Sequence, residues 1–582
     1  MKRLQNVLSL LAALTLLALL IAPQTRWLVV MQVGSALHLC HPFTWVTDDQ
    51  PWAWYVPEGK GYTALPEVDW HRHQAAAVHD ADSLPVQMAV TVRFSQKASG
   101  EARGLRHLLS RFPASPPLYA AILRADCVST IKLHRPEPDI LNGKKLKDAS
   151  YYTDVSTPSE LAAYDQAAGA GERCDPDNAY FPLMRAIGLF ADHRDIDARS
   201  AIQRASRKPR WAEYREAELE GRWHLRQEAF GDHSAINKAG IRASLLYPYW
   251  FSLRAAAGIA VYQAMRLEQT GQFKKGLAIR EAVFCCGSLM RKQSKASFMS
   301  FSGVAIVRLS MQRPGGTVTS KVSDEQFQDK AAQARLVIYC TYLNHHGDLR
   351  GAQEAHTEWV AGQATGHVMD MDVSHGGLDG TPNRVIAHGP FGVPMGRLIV
   401  RWMACFCLLS NILWLLLLGG LASAFTHANC LRDGQTLAKQ LKVKIGTALV
   451  IGLAVWGIAA YWQASPIRDL LAVMVYFEAA NYLTMAEAVW GIPAYVGFAS
   501  VPGFLLLFLT VRSLILRIPL LAGLIRGFQA TALPLACLLF LLYGGLTLSI
   551  LRQERIVSQD LEQMQQGEGR YYAALTGQVW PQ

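Results

Sequence analysis

At 582 residues the chain is too long for one ordinary core, so two or more domains are expected. Charged residues make up 18% and hydrophobic residues 51%, a balance suited to a protein that is part soluble and part lipid-embedded. The formal charge of +11 would suggest nucleic acid in a soluble protein, but no Lys/Arg run with interleaved aromatics forms a binding stripe, and basic loops beside membrane spans account for the excess. The ten cysteines form no CxxC pair at zinc-like spacing; Cys405-Phe-Cys407 lies in an apolar run where packing is its role.

The chain opens with Lys2 and Arg3 ahead of an apolar run from Val7 to Ala22. A cleaved signal peptide needs a small-x-small site after such a run, and "LLIAPQTRW" offers a poor one, so residues 1–25 read as an uncleaved signal anchor. Residues 26–100 form an irregular lead-in, aromatic and proline-rich at first. Within it "SLPVQMAVTVRFSQ" alternates like a strand but fits a short helix equally, and "DWHRHQAAAVHDAD" carries His71, His73 and His79 as a weak metal candidate.

From residue 101 to 394 the pattern is mainly α. "GLRHLLSRFPASPPLYAAILRADC" joins two helices through a Pro-containing turn, and "VSTIKLHRPEPDILNGKKLKDASYYTDV" is a polar surface insert. "CDPDNAYFPLMRAIGLFADHRDIDARSAIQRASRKP" reads as two helices broken at "DHRD", with Asp177 or Asn178 capping the first and Pro182 in its first turn. "WAEYREAELEGRWHLRQEAF" is an additional charged amphipathic helix. "RAAAGIAVYQAMRLEQTGQFKKGLAIREAVFCCGSLM" is a second hairpin, with Gly271 where the turn needs a residue tolerant of positive φ.

These two units resemble tetratricopeptide (TPR) repeats, antiparallel helix pairs of about 34 residues. Asp175, Pro176 and Asn178 match the turn between repeats, and Gly271 with Phe273 match the turn within one. Ala198, Ile202 and Ala205 match the small–large–small seam, and Pro209 matches the closing proline. The resemblance implies a TPR-like, solenoid-type domain that binds a peptide or protein partner. A third, weaker unit spans Pro116 to Asp175.

The stretch 344–390 gathers His345, His346, His356, His367, Asp370, Asp372, His375 and His388, ligand types that suit zinc. No HExxH is present, and a polar, Gly-rich linker explains the same residues; His367, Asp370, Asp372 and His375 are the weak metal candidates. Cys127 and Cys174 are a possible disulfide if the domain faces an oxidising space. There is no GxSxG and no P-loop, so no catalytic residue and no cofactor is expected.

Residues 395–551 carry four apolar runs, at 402–425, 445–462, 491–511 and 528–551, each long enough to approach the roughly 20 residues a bilayer core requires. Lys and Arg in the intervening loops place the N-terminus inside and the large domain and the tail, 552–582, outside, although Arg397 and Arg401 dissent. A bacterial inner membrane fits this bias. The expected protein is a multi-pass, non-enzymatic scaffold for protein–protein interaction outside the cytoplasmic membrane. Its partners would be an unnamed protein or peptide and the bilayer, with no nucleic acid. The alternatives are an accessory or permease-like transport subunit, and a metal-binding sensor or enzyme.

Overall fold

The computed structural model describes residues 2–22, 25–26, 28–29, 32, 75–76, 78–93, 98–133, 156–230, 235–244, 249–316, 329–368, 393–430, 500–576 and 579–581. Every regular element among them is helical, and a single parallel bridge pairs Asn178 with Arg210.

The helical domain begins with α2 (Leu84–Arg93), α3 (Ala98–Leu108), α4 (Pro116–Ser129) and α5 (Pro158–Cys174). The strand-like alternation before Arg93 is therefore a helix; Val86 and Ala89, three residues apart, are both buried with Leu225, a helical rather than a two-residue period. The lead-in is thus partly regular. Residues 369–392 and the cluster around His71 and His73 lie outside the described residues. A capping box of the pattern Thr-x-x-Glu starts α5: Thr157 Oγ1 accepts from Glu160 N, and Glu160 accepts from Thr157 N at 2.8 Å.

Three hairpins follow the same turn design. They are α6 (Tyr180–Ala191) with α7 (Asp195–Ser206), α10 (Tyr249–Gln269) with α11 (Phe273–Gln293), and α13 (Asp329–His345) with α14 (Leu349–Val368). In each turn one residue takes positive φ: His193 at 54°, Gly271 at 81° and Gly347 at 82°. The next backbone N–H reaches back five residues in all three, Arg194 to Leu189, Gln272 to Leu267 and Asp348 to Leu343. These bonds satisfy the carbonyls that a helix end leaves open. The third hairpin corrects the reading of the histidine-rich stretch: His345, His346 and His356 belong to helices and their turn, not to a linker. Between the first two hairpins lie α8 (Arg215–Phe230) and α9 (Ala235–Ser244), and α12 (Ser297–Ser310) follows the second.

One apolar core joins α3 to α7 with α10 to α12 around Tyr164, Phe181, Phe190 and Leu253, and a smaller one seats the third hairpin against Val307. Gly287 and Gly303 let α11 and α12 touch backbone to backbone; a Cβ on Gly303 would stand 2.5 Å from Arg291 N and from Gly287 O.

The remaining helices are α1 (Lys2–Ile21), α15 (Val393–Cys430), α16 (Ser500–Ile515), α17 (Leu520–Gln566) and α18 (Glu568–Thr576). Among the described residues two helices, rather than five, are long and apolar enough to cross a membrane, Leu408–Phe425 within α15 and Leu520–Gln566. Asn6–Ile21 and Val501–Ile515 are shorter apolar helices, and residues 445–462 lie outside the described residues. α15 and α17 are antiparallel, since Trp402 meets Glu554, Cys405 meets Thr547 and Gly419 meets Ala532. α1 runs parallel to α17, with Ser9 against Cys537 and Thr15 against Gly544. Asn411, a polar residue inside the first long apolar helix, accepts at Oδ1 from Val501 N and so caps the start of α16.

Candidate functional site

The residues matched to the repeat turn form a packed polar knot. Asn178 Nδ2 donates to Asp175 Oδ2 at 2.9 Å and to Ala212 O at 2.8 Å, while its Oδ1 accepts from Tyr180 N and Ala212 N. Its four hydrogen-bonding positions are thereby filled, and one of them caps α6. Asp175 also accepts from Arg210 and Tyr214, and Pro176 O accepts from Lys208 Nζ at 2.6 Å. Asp175, Pro176 and Asn178 therefore hold the crossing from α5 to α6 against the link 210–214, with Asp175 and Asn178 buried and Pro176 exposed. Gly271 and Phe273 sit at a hairpin tip, where the Phe273 ring stacks on His346 with centroids 4.6 Å apart, joining the second tip to the third.

A second polar centre lies where α4, α8, α10 and α11 meet. Arg124 is buried, donating to Glu213 O and to Glu218 Oε2 at 3.0 Å. The Glu218 carboxylate faces Arg215, Arg222 and Arg124, and these cations hold it well below the ordinary range despite its burial. Glu213, buried and accepting from Tyr249 and Ser294, is pushed up by desolvation. Half-buried Glu101 is raised to about 7 by desolvation, with the Glu218 charge adding to it. The charged amphipathic helix α8 thus turns its Arg215 and Glu218 side chains into a buried electrostatic centre of the domain.

The junction between the helical domain and the apolar helices escaped the sequence reading. α17 does not stop at 551. It continues to Gln566, and its buried positions Tyr543, Thr547, Ile550, Glu554, Val557, Leu561 and Met564 recur in steps of three and four along one seam. Beyond the apolar run that seam carries α9 and α18: Ala235 N donates to Glu554 Oε2, and Ala239, Val557, Leu561, Met564 and Tyr571 share one core with Leu398 and Trp402. Glu568 is the hinge pin. Its Oε1 accepts from Arg242 Nε and Nη2 at 3.0 and 2.7 Å, its Oε2 accepts from Ser297 N at 2.6 Å, and its own N–H donates to Lys295 O at 2.8 Å. A carboxylate from α18 thus caps α12. Glu216 approaches the same Arg242 at 3.6 Å and is raised to about 7, chiefly by burial. Farther on, Arg291 on α11 is paired in a bidentate fork with Glu358 on α14, and its Nη1 donates to Pro581 O at 2.7 Å. The C-terminal residues are therefore built into the helical domain. A 3–4 seam running through Arg552–Gln566 was the legible signal for this.

Cys127 and Cys174 are both free. Cys127 lies buried 3.1 Å from Tyr164 Oη, and burial pushes its thiol up to about 12, whereas Cys174 is exposed. His367 falls in the last turn of α14, and Asp370, Asp372 and His375 lie outside the described residues. Among the described residues one metal-competent cluster is found, His79, Asp80 and Glu228. No family model, curated protein or solved structure matches the chain.

Proposed function

We propose that this protein is a membrane-embedded scaffold whose TPR-like helical domain captures a protein or peptide partner on the outer side of a cytoplasmic membrane. The observation that carries the reading is α17: one unbroken helix runs from the apolar bundle into the helical domain, and Glu554 and Glu568 fasten it there. A domain so tied holds its hairpins at a fixed height and orientation above the bilayer.

The direction of the helices supports the sidedness. The parallel course of α1 and α17 sets the basic start of the chain at the end where Arg512, Arg517 and Arg526 cluster, opposite the helical domain, as expected when positive residues stay inside. In this reading α1, α15, α16 and α17 lie in the membrane. The repeated turn of the three hairpins supports the TPR-like reading, since stacked helix pairs of one design build a continuous surface. Their tips carry exposed Ile196, Phe273 and Leu349, apolar groups set among Arg194, Lys274 and Arg350.

Photo-crosslinking residues placed at Ile196, Phe273 and Leu349 in intact cells test the reading. A discrete crosslinked protein from at least two of the three tips is expected. Crosslinks from none of them, with the protein present in the membrane fraction, would refute the capture role.

A further inference from the structure

We infer that His79, Asp80 and Glu228 form a binding site for a zinc-class divalent metal, with His224 as the residue that positions Asp80. The donor atoms of the three ligands lie within 4.8 Å of one another. His79 Nδ1 stands 3.4 Å from Asp80 Oδ1, and the other oxygen of that carboxylate, Oδ2, is 2.8 Å from His224 Nε2. His224 and Glu228 are four residues apart on α8 and so project from one face of it. His79 and Asp80 come from a helical turn more than a hundred residues earlier in the chain.

Two features make this more than a chance meeting of surface side chains. The backbones beneath it are fixed: Ala76, Val86 and Ala89 bury themselves against Leu225, the residue next to His224, and Arg111 Nη2 donates to Ala81 O at 2.8 Å. Gly221 brings α8 so close to the start of α2 that a Cβ there would stand 2.1 Å from Pro85 O. The imidazole–carboxylate contact between His224 and Asp80 is also the arrangement that orients a ligating carboxylate toward a metal. An imidazole with two carboxylates selects zinc and its neighbours over magnesium or calcium, which take oxygen alone. The three ligands are exposed or half-exposed, so their side chains can turn to close a tetrahedral site with arms of about 2.0–2.2 Å, which would leave a fourth position for water. Bound metal would staple the segment that leads into α2 onto α8, and through α8 onto the buried Arg124–Glu218 centre.

The full chain, purified in detergent and stripped with a chelator, is dialysed against Zn²⁺ alone, and bound metal is counted by mass spectrometry with affinity from calorimetry. One zinc per chain is expected, with binding that weakens in acid as protons compete with the metal for its ligands. His79→Ala together with Glu228→Gln should remove that zinc, and the helical circular dichroism of this variant should be unchanged because both side chains are exposed. His224→Ala should keep the stoichiometry and weaken affinity by about tenfold to a hundredfold. The assignment is overturned if no zinc binds, if zinc survives His79→Ala with Glu228→Gln, or if it is lost instead on His367→Ala with His375→Ala. Displacement of the zinc by an equal concentration of Mg²⁺ or Ca²⁺ would likewise overturn it.

Discussion

Replacing Glu568 tests whether α18 fastens the apolar helices to the hairpins. Glu568→Ala removes three contacts at once. The Ser297 N–H that caps α12 loses its acceptor, which costs about 1 kcal/mol. Two charge-assisted bonds from Arg242, at 3.0 and 2.7 Å, disappear at about 1.5–3 kcal/mol each before relaxation. The guanidinium left behind is buried and turns to the more distant Glu216 carboxylate at 3.6 Å, which offsets part of the loss. The expected net cost is about 3 kcal/mol, roughly a hundredfold in the opening equilibrium of α18 and the first turn of α12. Glu568→Gln keeps an acceptor for Ser297 and loses only the charge, so its cost should be about half. Hydrogen exchange of the detergent-solubilised chain reads both as local opening. Arg242→Met added to Glu568→Ala should recover part of the loss, because the orphaned charge is gone. If Glu568→Ala changes protection by less than about 0.5 kcal/mol, or if Gln and Ala behave alike, the junction is not held as described.

Three further outcomes follow from the same geometry. Gly303→Ala should destabilise the domain by about 3 kcal/mol or more, since its Cβ meets backbone that cannot turn aside, whereas Gly271→Ala meets open space and loses about 1–2 kcal/mol to its positive φ alone; thermal unfolding distinguishes them. Glu216, raised from the ordinary 4.5 to about 7, binds more protons folded than unfolded, so its contribution is full below about 4.5 and is lost as the pH rises through 7. Exchange at the α8–α9–α18 junction should therefore quicken beyond the intrinsic rate as the pH rises from about 4.5 to 7 and level off above that, and Glu216→Gln should flatten that dependence. A maleimide should label Cys174 in the folded chain and spare Cys127, whose thiol is buried and raised to about 12; equal labelling would contradict its packing on Tyr164.

The first two hairpins were legible because their signals are local. Gly271 and the polar break at "DHRD" mark turns, and Ala198, Ile202 and Ala205 trace a buried helical face that the structure reproduces. The third hairpin was hidden by composition: its turn, "NHHGDL", uses Gly347 as the second uses Gly271, but the surrounding histidines drew attention to ligand chemistry instead of to backbone conformation. The charges on α8 look solvated in sequence because nothing local reveals that Arg124, ninety residues earlier, is waiting for Glu218. The run before Arg93 fits strand and helix equally in sequence, since alternation over ten residues cannot decide between two periods when tertiary burial supplies the answer. The fastening of α17 was available in principle. Its charged second half keeps the 3–4 apolar spacing of its first, and the change from lipid-like to polar composition masked that continuity.

The proposed placement of the helical domain outside the membrane is tested most directly with the exposed Cys174 as a native reporter. In intact cells a membrane-impermeant maleimide should label Cys174, while Arg526→Cys in a Cys174→Ser background should stay unlabelled until the cells are lysed. The reverse pattern, Cys174 shielded and Arg526→Cys labelled from outside, would invert the topology and remove the basis for capture at the outer face.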